Sequence, residues 1–418
     1  MCTLCPKLLK TGTPGSNQRR LILTQKRYPY IALGGAVALA WISSCHAWVS
    51  TGSRPSGEHL RAVERSPQYD AEQGTFVNAL GSVQPMFGEV IGKYWDNEAL
   101  TEPAAPLPRD EGLVARLKTP APEALRVSWI GHSTMLVEVE GKRFLTDPIF
   151  SRRASPFEYL GPKRFEAPAL KLGDLPDLDA VLISHDHYDH LDMATVTALA
   201  SEGVPFYMPL GVGAHFRYWG IAEEQIHELD WWEERDVGGI TLACVPSRHF
   251  SGRAGLDRDK TLWSGWAIVG DARRAFFSGD TSMTPDFLKI GERYGPFDIA
   301  MVESGAYNAA WVDAHLGPEQ AVDVSLMVRG RSMVPIHWGT FSLALHAWTE
   351  PAERLLAEAR KKGVHLVIPI IGGSVSPSTP ATDRPWWPEV DVRSADEDPI
   401  VSNNLPDYVL PQPLSPAH

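Results

Sequence analysis

Between residues 125 and 373, short apolar runs alternate with segments of helical spacing. The run AVLI at 180–183 is one of several that are short and followed directly by polar side chains. Runs of this kind are typical of buried strands, whereas the spacing of apolar residues from Pro351 to Lys362 is typical of an amphipathic helix. The alternation predicts an α/β fold for this part of the chain.

The rest of the chain has a different composition. Residues 51 to 123 are interrupted by Pro and Gly, and from Ser374 onward Pro, Ser and Asp are frequent. With 418 residues, 44% of them hydrophobic, the chain can bury a large core. We expect a leader or anchor at 1–45, an extension at 46–123 that packs on the domain, a single domain at 124–373, and a proline-rich tail at 374–418 that lies over the domain or is partly disordered.

The segment SHDHYDHLD at 184–192 places three histidines and three aspartates directly after an apolar run. Since successive residues of an extended chain point to opposite faces, His185 and His187 face the same way. Asp189 and His190 follow where the chain turns. Imidazole and carboxylate groups are ligands suited to zinc or a similar divalent ion. A solvated loop would not require this alternation, so the motif favours a metal site.

Three more polar residues follow apolar runs in the same way. His249 closes ITLACVPSRH, Asp280 closes RRAFFSGD, and His337 closes SMVPIH. Each run is typical of a buried strand with the polar residue at its carboxyl end. Singly, each residue is more often structural than a ligand. Together they form an ordered series of strand ends that predicts further metal ligands.

The order HxHxDH, then His, then Asp, then His resembles the metallo-β-lactamase superfamily, which has an αββα sandwich and a two-metal site at one sheet edge. Seven stretches extend the match to the N-acylphosphatidylethanolamine-hydrolysing phospholipase D family and its bacterial relatives: WIGHSTMLVEVEGKRFLTDPIFSRRASPFEYLGPKRF, SHDHYDHLD, LWSGWAIVG, FFSGDT, IGERYGPFD, GAYNAAW and PIHWGTF. The similarity covers roughly Arg126 to Thr349. It departs in GDTSM and ESGAY, so the pocket can be reshaped by Ser282, Met283, Glu303 and Ser304.

The resemblance implies two Zn²⁺ ions, with other divalent ions open, and a metal-bridging hydroxide as the attacking group. One ion would be held by His185, His187 and His249, and the other by Asp189, His190 and His337, with Asp280 bridging. We expect the catalytic residues to be Asp189, Asp280 and His315, the last of which resembles a family position close to the substrate phosphate. Asp147 resembles an aspartate that orients a metal-binding imidazole, although a turn aspartate before Pro148 is an equal alternative.

Charge limits the substrate class. Lys and Arg total 39 against 51 Asp and Glu, which gives a formal net charge of −12. A nucleic acid would need a broad basic face, so we expect no nucleic-acid partner. The implied function is a phosphodiesterase of phospholipase D type that acts on an N-acylphosphatidylethanolamine-like lipid. A lactonase or carboxylic-ester hydrolase with the same metal site and a non-catalytic envelope binding protein remain alternatives, and the oligomeric state is open.

Other residues near the motifs are weaker candidates. Gly131 and His132 lie in a turn between strands and can line the site. Arg152 and Arg153 can meet a phosphate or headgroup, although a solvated loop is the commoner explanation. Two pairs of adjacent tryptophans can touch lipid, although one ring in the core and one at its rim is the more usual arrangement: Trp231 with Trp232, and Trp386 with Trp387.

The N-terminal segment predicts a membrane tether. Basic residues precede an apolar run from Ile31 to Ser44, which has the length of a signal-peptide core. The sequence ISSC ending at Cys45 resembles a bacterial lipoprotein cleavage site, and an uncleaved anchor helix is the alternative. Either would tether the protein in the bacterial envelope facing the periplasm. Cys244 lies in the apolar run TLACV, and we expect it to be buried rather than reactive.

Overall fold

A computed structural model describes residues 47–81 and 99–416. Cys45 and the apolar run before it lie outside the described residues, so the tether and the envelope location stay predictions. Within the two described ranges, we find no helix that combines the length and the hydropathy needed to cross a membrane.

Among the residues that the structure describes, two mixed sheets form the centre of the fold. The first contains, from edge to edge, β15 (Ser374–Val375), β3 (Leu125–Gly131), β4 (Thr134–Val139), β5 (Lys142–Thr146), β6 (Ala180–Leu182), β7 (Phe206–Pro209) and β8 (Ile226–Leu229). The second contains β14 (Gly330–Ile336), β13 (Phe297–Glu303), β12 (Arg274–Phe277), β11 (Gly265–Val269), β10 (Ile240–Val245) and β9 (Glu234–Val237). A separate hairpin is formed by β1 (Tyr69–Asp70) and β2 (Thr75–Phe76).

Helices cover the outer faces of the two sheets. The helices that lie entirely within the described residues include α1 (Gly57–Val63), α2 (Leu113–Arg116), α3 (Met193–Ser201), α4 (Gly213–Tyr218), α5 (Asp286–Arg293), α6 (Pro318–Met327) and α7 (Glu350–Lys362). Short 3₁₀ turns occur at Pro122–Ala124, Leu172–Asp174, Glu223–Gln225 and Ala309–Trp311. Apolar residues of α2, α3 and α4 pack with one face of the first sheet, and α6 packs on β13 and β14 of the second.

The strand pattern explains this layering. In β4, Met135 and Val137 belong to the large core cluster that both sheets share, whereas Leu136 between them belongs to the cluster under α3 and α4. Side chains of a strand alternate between its two faces, so a strand buried on both sides reads as a continuous apolar run. The result is the four-layered αββα sandwich that the resemblance implied.

The predicted helix at 351–362 is confirmed as α7, which begins one residue earlier at Glu350. Acidic residues lie in its first turn and basic residues in its last, as the helix dipole favours. The helix ends at Lys362 and is followed by Gly363, whose φ of 70° glycine adopts without the strain that a side chain would cause.

Both flanking segments contact the domain. In the extension, the carbonyl oxygen of Ser50 accepts hydrogen bonds from the buried guanidinium of Arg253 at 3.1 and 2.9 Å. The tail begins as an edge strand rather than as irregular chain, because Ser374 and Val375 pair with β3. Further along the tail, Trp387 and Ile400 are buried.

The strand directions bring the polar series to one edge. Strands β5, β6, β7 and β8 run parallel to one another, and so do β12, β13 and β14. Parallel strands present their carboxyl ends at the same side of a sheet. Asp147 and His337 directly follow such ends, and Glu303 ends its strand. His185 and Asp280 each lie three residues beyond the end of theirs.

Candidate metal centre

Three histidines from two strand ends converge. His185 and His187 follow β6, and His249 follows β10. His187 Nδ1 lies 2.8 Å from His185 Nε2 and 3.3 Å from His249 Nε2. His249 Nδ1 lies 2.8 Å from the carbonyl oxygen of Ala314, to which it can only donate. That contact fixes the tautomer and leaves the Nε2 lone pair for a ligand bond.

A second group forms beside the first. Asp189 Oδ2 lies 3.5 Å from His190 Nε2 and 3.2 Å from His337 Nε2. His132, which the sequence suggested only as a lining residue, lies 3.0 Å from the same oxygen through its Nε2. His132 is buried in the turn between β3 and β4, at a φ of 55°. In the sequence, the dipeptide Gly131-His132 at a strand end was the feature that indicated His132 as a residue near the site.

One carboxylate oxygen lies between the two groups. Asp280 Oδ2 is 3.1 Å from His190 Nε2 and 3.0 Å from His337 Nε2. It is also 4.0 Å from His185 Nε2 and 3.8 Å from His249 Nε2. Asp280 reaches this position because β12 ends three residues earlier and a glycine turn with Gly279 at φ 58° redirects the chain.

The donor set fits metal ions. His190 Nε2 is buried and makes no hydrogen bond of acceptable geometry, although Asp280 Oδ2 is 3.1 Å away. The two atoms therefore lie close together without forming a hydrogen bond. Asp280 Oδ1 is also buried without a hydrogen-bond partner. Buried polar atoms are nearly always satisfied, and a bound cation would satisfy these.

The electrostatics favour a cation at the same place. Burial lowers the pKa of His185 and His249 well below the usual value, so both imidazoles are neutral and able to ligate. Burial opposes ionisation of Asp280, but His190 and His337 hold its pKa well below the usual value. Burial likewise opposes charge on His190, yet Asp280, with two further aspartates, raises its pKa well above the usual value. The negative field that favours a proton on His190 also favours a divalent ion.

Asp147 orients one of these imidazoles. Its Oδ2 lies 2.7 Å from His190 Nδ1, and its Oδ1 accepts the backbone N–H of Ser184 at 2.7 Å. The Ser184 hydroxyl donates to Asp147 Oδ2 at 2.6 Å. The carboxylate therefore fixes the ring of His190 with Nε2 toward Asp280, as carboxylates do for metal-binding histidines.

The sequence named Glu303 as a residue that can reshape the pocket but did not predict its contact with the histidines. Its Oε2 lies 3.1 Å from His315 Nδ1 and 3.9 Å from His337 Nδ1, and it is fully buried. His315 Nδ1 lies 3.8 Å from Asp280 Oδ2, and the side chain of His315 keeps 14% of its surface exposed. His315 thus lies at the open side of the cluster.

The other three residues at which the sequence departs from the family pattern contact neighbouring residues rather than the histidines. Ser282 donates to the carbonyl oxygen of Val312 at 3.1 Å, and Met283 is part of the core. Ser304 donates to the carbonyl oxygen of Ile336 at 3.4 Å. Of the four residues at which the sequence departs from the family pattern, Glu303 is the one that contacts the cluster.

The weaker candidates are mostly structural. Arg153 donates to carbonyl oxygens of its own loop, whereas Arg152 is exposed. Trp387 is buried and Trp386 half-buried, and both rings pack against Trp338. Trp231 and Trp232 are half-buried against the core, and Cys244 is buried as expected.

Comparison with known proteins identifies the family. The family described as the β-lactamase superfamily domain matches residues 142–338. An uncharacterised protein of Mycobacterium tuberculosis is 46% identical over 338 residues, which cover 78% of this chain and 89% of the relative. The chain belongs to the metallo-β-lactamase superfamily. It is a metal-dependent hydrolase by family, and its His and Asp clusters can bind metal.

Two further known proteins resemble it. A protein of Caenorhabditis elegans named N-acyl-phosphatidylethanolamine-hydrolyzing phospholipase D 1 is 41% identical over 253 residues, which cover 57% of this chain and 71% of that protein. The solved structure of Igni18, a metallo hydrolase from the archaeon Ignicoccus hospitalis, is 22% identical and covers 60% of this chain and 97% of its own, with a TM-score of 0.46.

Proposed function

We propose that the protein hydrolyses the phosphodiester bond of an N-acylphosphatidylethanolamine-like lipid at a site with two divalent ions, zinc being the expected metal. The products would be an N-acylethanolamine and a phosphatidic acid. The similarity to a relative named for this reaction supports the lipid, and the convergent His and Asp side chains support the metal site.

The position of Asp280 is the observation that carries the proposal. A single oxygen, Oδ2, lies within 4.0 Å of ring nitrogens from both histidine groups. A carboxylate oxygen beside four imidazoles is suited to serve two ions at once, whereas a structural aspartate would need one partner. One ion would be held by His185, His187 and His249, the other by Asp189, His190 and His337, and both by Asp280.

Two bound ions would supply Lewis acidity and an activated water at the reacting phosphorus. The chain's own residues would do the rest. The carboxylates of Asp189 and Asp280 offset part of the positive charge, and Asp147 keeps His190 in the orientation that its Nε2 requires. The fold supplies these groups already in place, so little reorganisation is needed during the reaction.

His315 is proposed as the catalytic residue that contacts the substrate phosphate. Its Nδ1 is engaged by Glu303, which leaves Nε2 as the ring nitrogen free for a phosphate oxygen. The ring stacks on His337 with centroids 5.1 Å apart, so a phosphate held near the metal ligands would be within reach. Its partial exposure lets substrate approach from the open side of the cluster.

The proposal is tested by identifying products rather than by loss of substrate alone. The zinc-loaded protein is incubated separately with an N-acylphosphatidylethanolamine, a carboxylic ester and a lactone. Release of N-acylethanolamine and phosphatidic acid is expected, with loss of activity in His190→Ala and retention in His227→Ala, a histidine of β8 outside the cluster. Release of fatty acid instead would favour an esterase, and binding without turnover would favour a non-catalytic protein.

A further inference from the structure

A cluster of exposed apolar side chains lies in the loop that leaves the site after β5. We call residues 152–163 the rim loop. Within it, residues 157 to 161 are consecutively exposed. Phe157 is 43% exposed, Tyr159 69% and Leu160 66%. Apolar residues scattered singly over a surface need no explanation, whereas contiguous exposed apolar patches often mark interaction sites. Here three such side chains fall within four positions.

The exposure is a property of an ordered loop. Arg153 donates to the carbonyl oxygen of Glu158 at 3.1 Å and to that of Gly161 at 2.5 Å. The base of the loop is closed where Ala154 N–H donates to the carbonyl oxygen of Pro162 at 3.0 Å. The apolar side chains at the tip are therefore presented outward by a framework of internal hydrogen bonds.

The rim loop is connected to the metal centre. Arg164, directly after the loop, donates to the carbonyl oxygens of Ile149 at 2.7 Å and Ser151 at 2.9 Å, which follow Asp147 in sequence. Arg164 also forms a β-bridge with Phe341. The ring of Phe341 lies edge-on against His132, with centroids 5.2 Å apart. Two short chains of contacts thus join the loop to the ligand cluster.

The charge of the rim loop differs from that of the whole chain. The chain carries a formal net charge of −12, whereas the loop contains Arg152, Arg153 and Lys163 against one acidic residue, Glu158. Arg152 and Lys163 are exposed at its two ends. Basic residues that flank exposed aromatic and aliphatic side chains suit the interface of an anionic bilayer, where the rings enter the headgroup layer and the cations meet phosphates.

We propose that the rim loop docks the protein on the surface of an anionic phospholipid bilayer. Phe157, Tyr159 and Leu160 would enter the interface, and Arg152 and Lys163 would contact lipid phosphates. This inference rests on the proposed function, because a lipid-cleaving site needs a way to meet its substrate in a membrane. Docking would hold the bilayer against a loop that the two chains of contacts join to the metal centre.

The test places a polarity-sensitive fluorophore on the loop of the full-length chain. Cys2, Cys5 and Cys45 are changed to serine, and buried Cys244 is kept. The label is attached to Leu160→Cys in one protein and to Val409→Cys in a matched control, because Val409 is 86% exposed in the tail. Both proteins keep the same N-terminal segment, so any binding through that segment is common to both.

Vesicles of phosphatidylcholine and phosphatidylglycerol in equal amounts should shift the emission of the probe at position 160 to the blue and leave that at 409 unchanged. Lipids brominated near the headgroup should quench the first probe more strongly. No shift at 160, or equal shifts at both positions, would overturn the proposal. So would a shift that depends on protein concentration without vesicles, since that would indicate contact between copies of the chain.

The measurement separates docking from the reaction. It needs no turnover, so a vesicle-dependent shift in a protein without phosphodiesterase activity would support the docking surface and count against the proposed function. Phosphodiesterase activity on vesicles without a shift would support the proposed function and count against the docking surface.

Discussion

Glu303 Oε2 lies 3.1 Å from His315 Nδ1, and the second oxygen of the same carboxylate joins two further pieces of the site. Oε1 accepts the backbone N–H of Thr281 at 3.0 Å and that of Leu316 at 3.1 Å. Thr281 follows Asp280, and Leu316 follows His315. One buried side chain therefore links the segment that carries Asp280 to the proposed phosphate-binding histidine.

Glu303→Gln should lower kcat through His315. The amide keeps the volume but cannot accept the Nδ1 proton with a carboxylate's strength, so the ring loses its fixed orientation. We expect kcat to fall about tenfold, as for other residues that orient a catalytic group. In a His315→Ala background the same change should cost almost nothing further. Equal losses in both backgrounds would contradict the positioning role.

Asp280→Asn should lower the metal content more than loss of a ligand to one ion would. An amide oxygen carries no charge to share between two ions, so both sites are weakened. Elemental analysis of zinc-loaded protein should give close to two ions per chain in the wild type and fewer than one in the variant. Asp286→Asn, in the first turn of α5, is the matched control and should keep both. Full metal content in Asp280→Asn would exclude the shared role.

The C-terminal tail should hold in place the loop that contains Asp313 and His315. Asn403 donates from its backbone N to Asp313 Oδ1 at 2.9 Å and from Nδ2 to Oδ2 at 2.8 Å. Asp313 also pairs with Arg248, the residue before His249, at 3.0 Å. Asn403→Ala removes one exposed hydrogen bond, which should change the free energy of unfolding by about 1 kcal/mol or less.

The same variant should nevertheless lower kcat by about threefold, since small displacements of catalytic groups are costly. Steady-state kinetics and urea unfolding, with Asp407→Ala as an exposed control in the tail, measure both effects. An unchanged kcat would show that the tail does not influence the site.

Trp266 should stabilise the strand end that leads to His185. Its Nε1 donates to the carbonyl oxygen of Ile183 at 3.0 Å, across the two sheets, and the ring is fully buried. Trp266→Phe leaves that carbonyl unpaired and a space beside it, so the free energy of unfolding should fall by about 2–4 kcal/mol. Trp48→Phe, at a side chain 73% exposed, should change it by less than about 0.5 kcal/mol. Similar effects of the two changes in urea unfolding would contradict this.

The local pattern predicted an α/β fold and a series of polar residues after strands, and the family resemblance supplied the αββα arrangement and the full set of cluster residues. Apolar runs define the strands, and a parallel arrangement brings whatever follows them to one edge, so His185, Asp280 and His337 could be placed together in advance. The positions of these residues do not by themselves show that they ligate metal. The elemental analysis of the wild type and of Asp280→Asn tests that part of the prediction.

Contacts between distant segments could not be predicted in this way. Glu303 contacts His315 because the end of β13 lies beside a loop whose course no periodicity encodes. Asn403 reaches Asp313 across 90 positions. His132 joins the second group because its turn adopts a positive φ, a conformation that the dipeptide Gly-His permits without requiring.

The reaction in ¹⁸O-labelled water tests the central claim most directly. Zinc-loaded protein is given an N-acylphosphatidylethanolamine, and both products are analysed by mass spectrometry. If water attacks phosphorus at the centre around Asp280, one labelled oxygen enters the phosphate of the phosphatidic acid, and the N-acylethanolamine stays unlabelled. The activity should disappear in His337→Ala. Label in a released fatty acid, with unlabelled phosphate, would contradict the account, because it would place the attack at a carbonyl carbon.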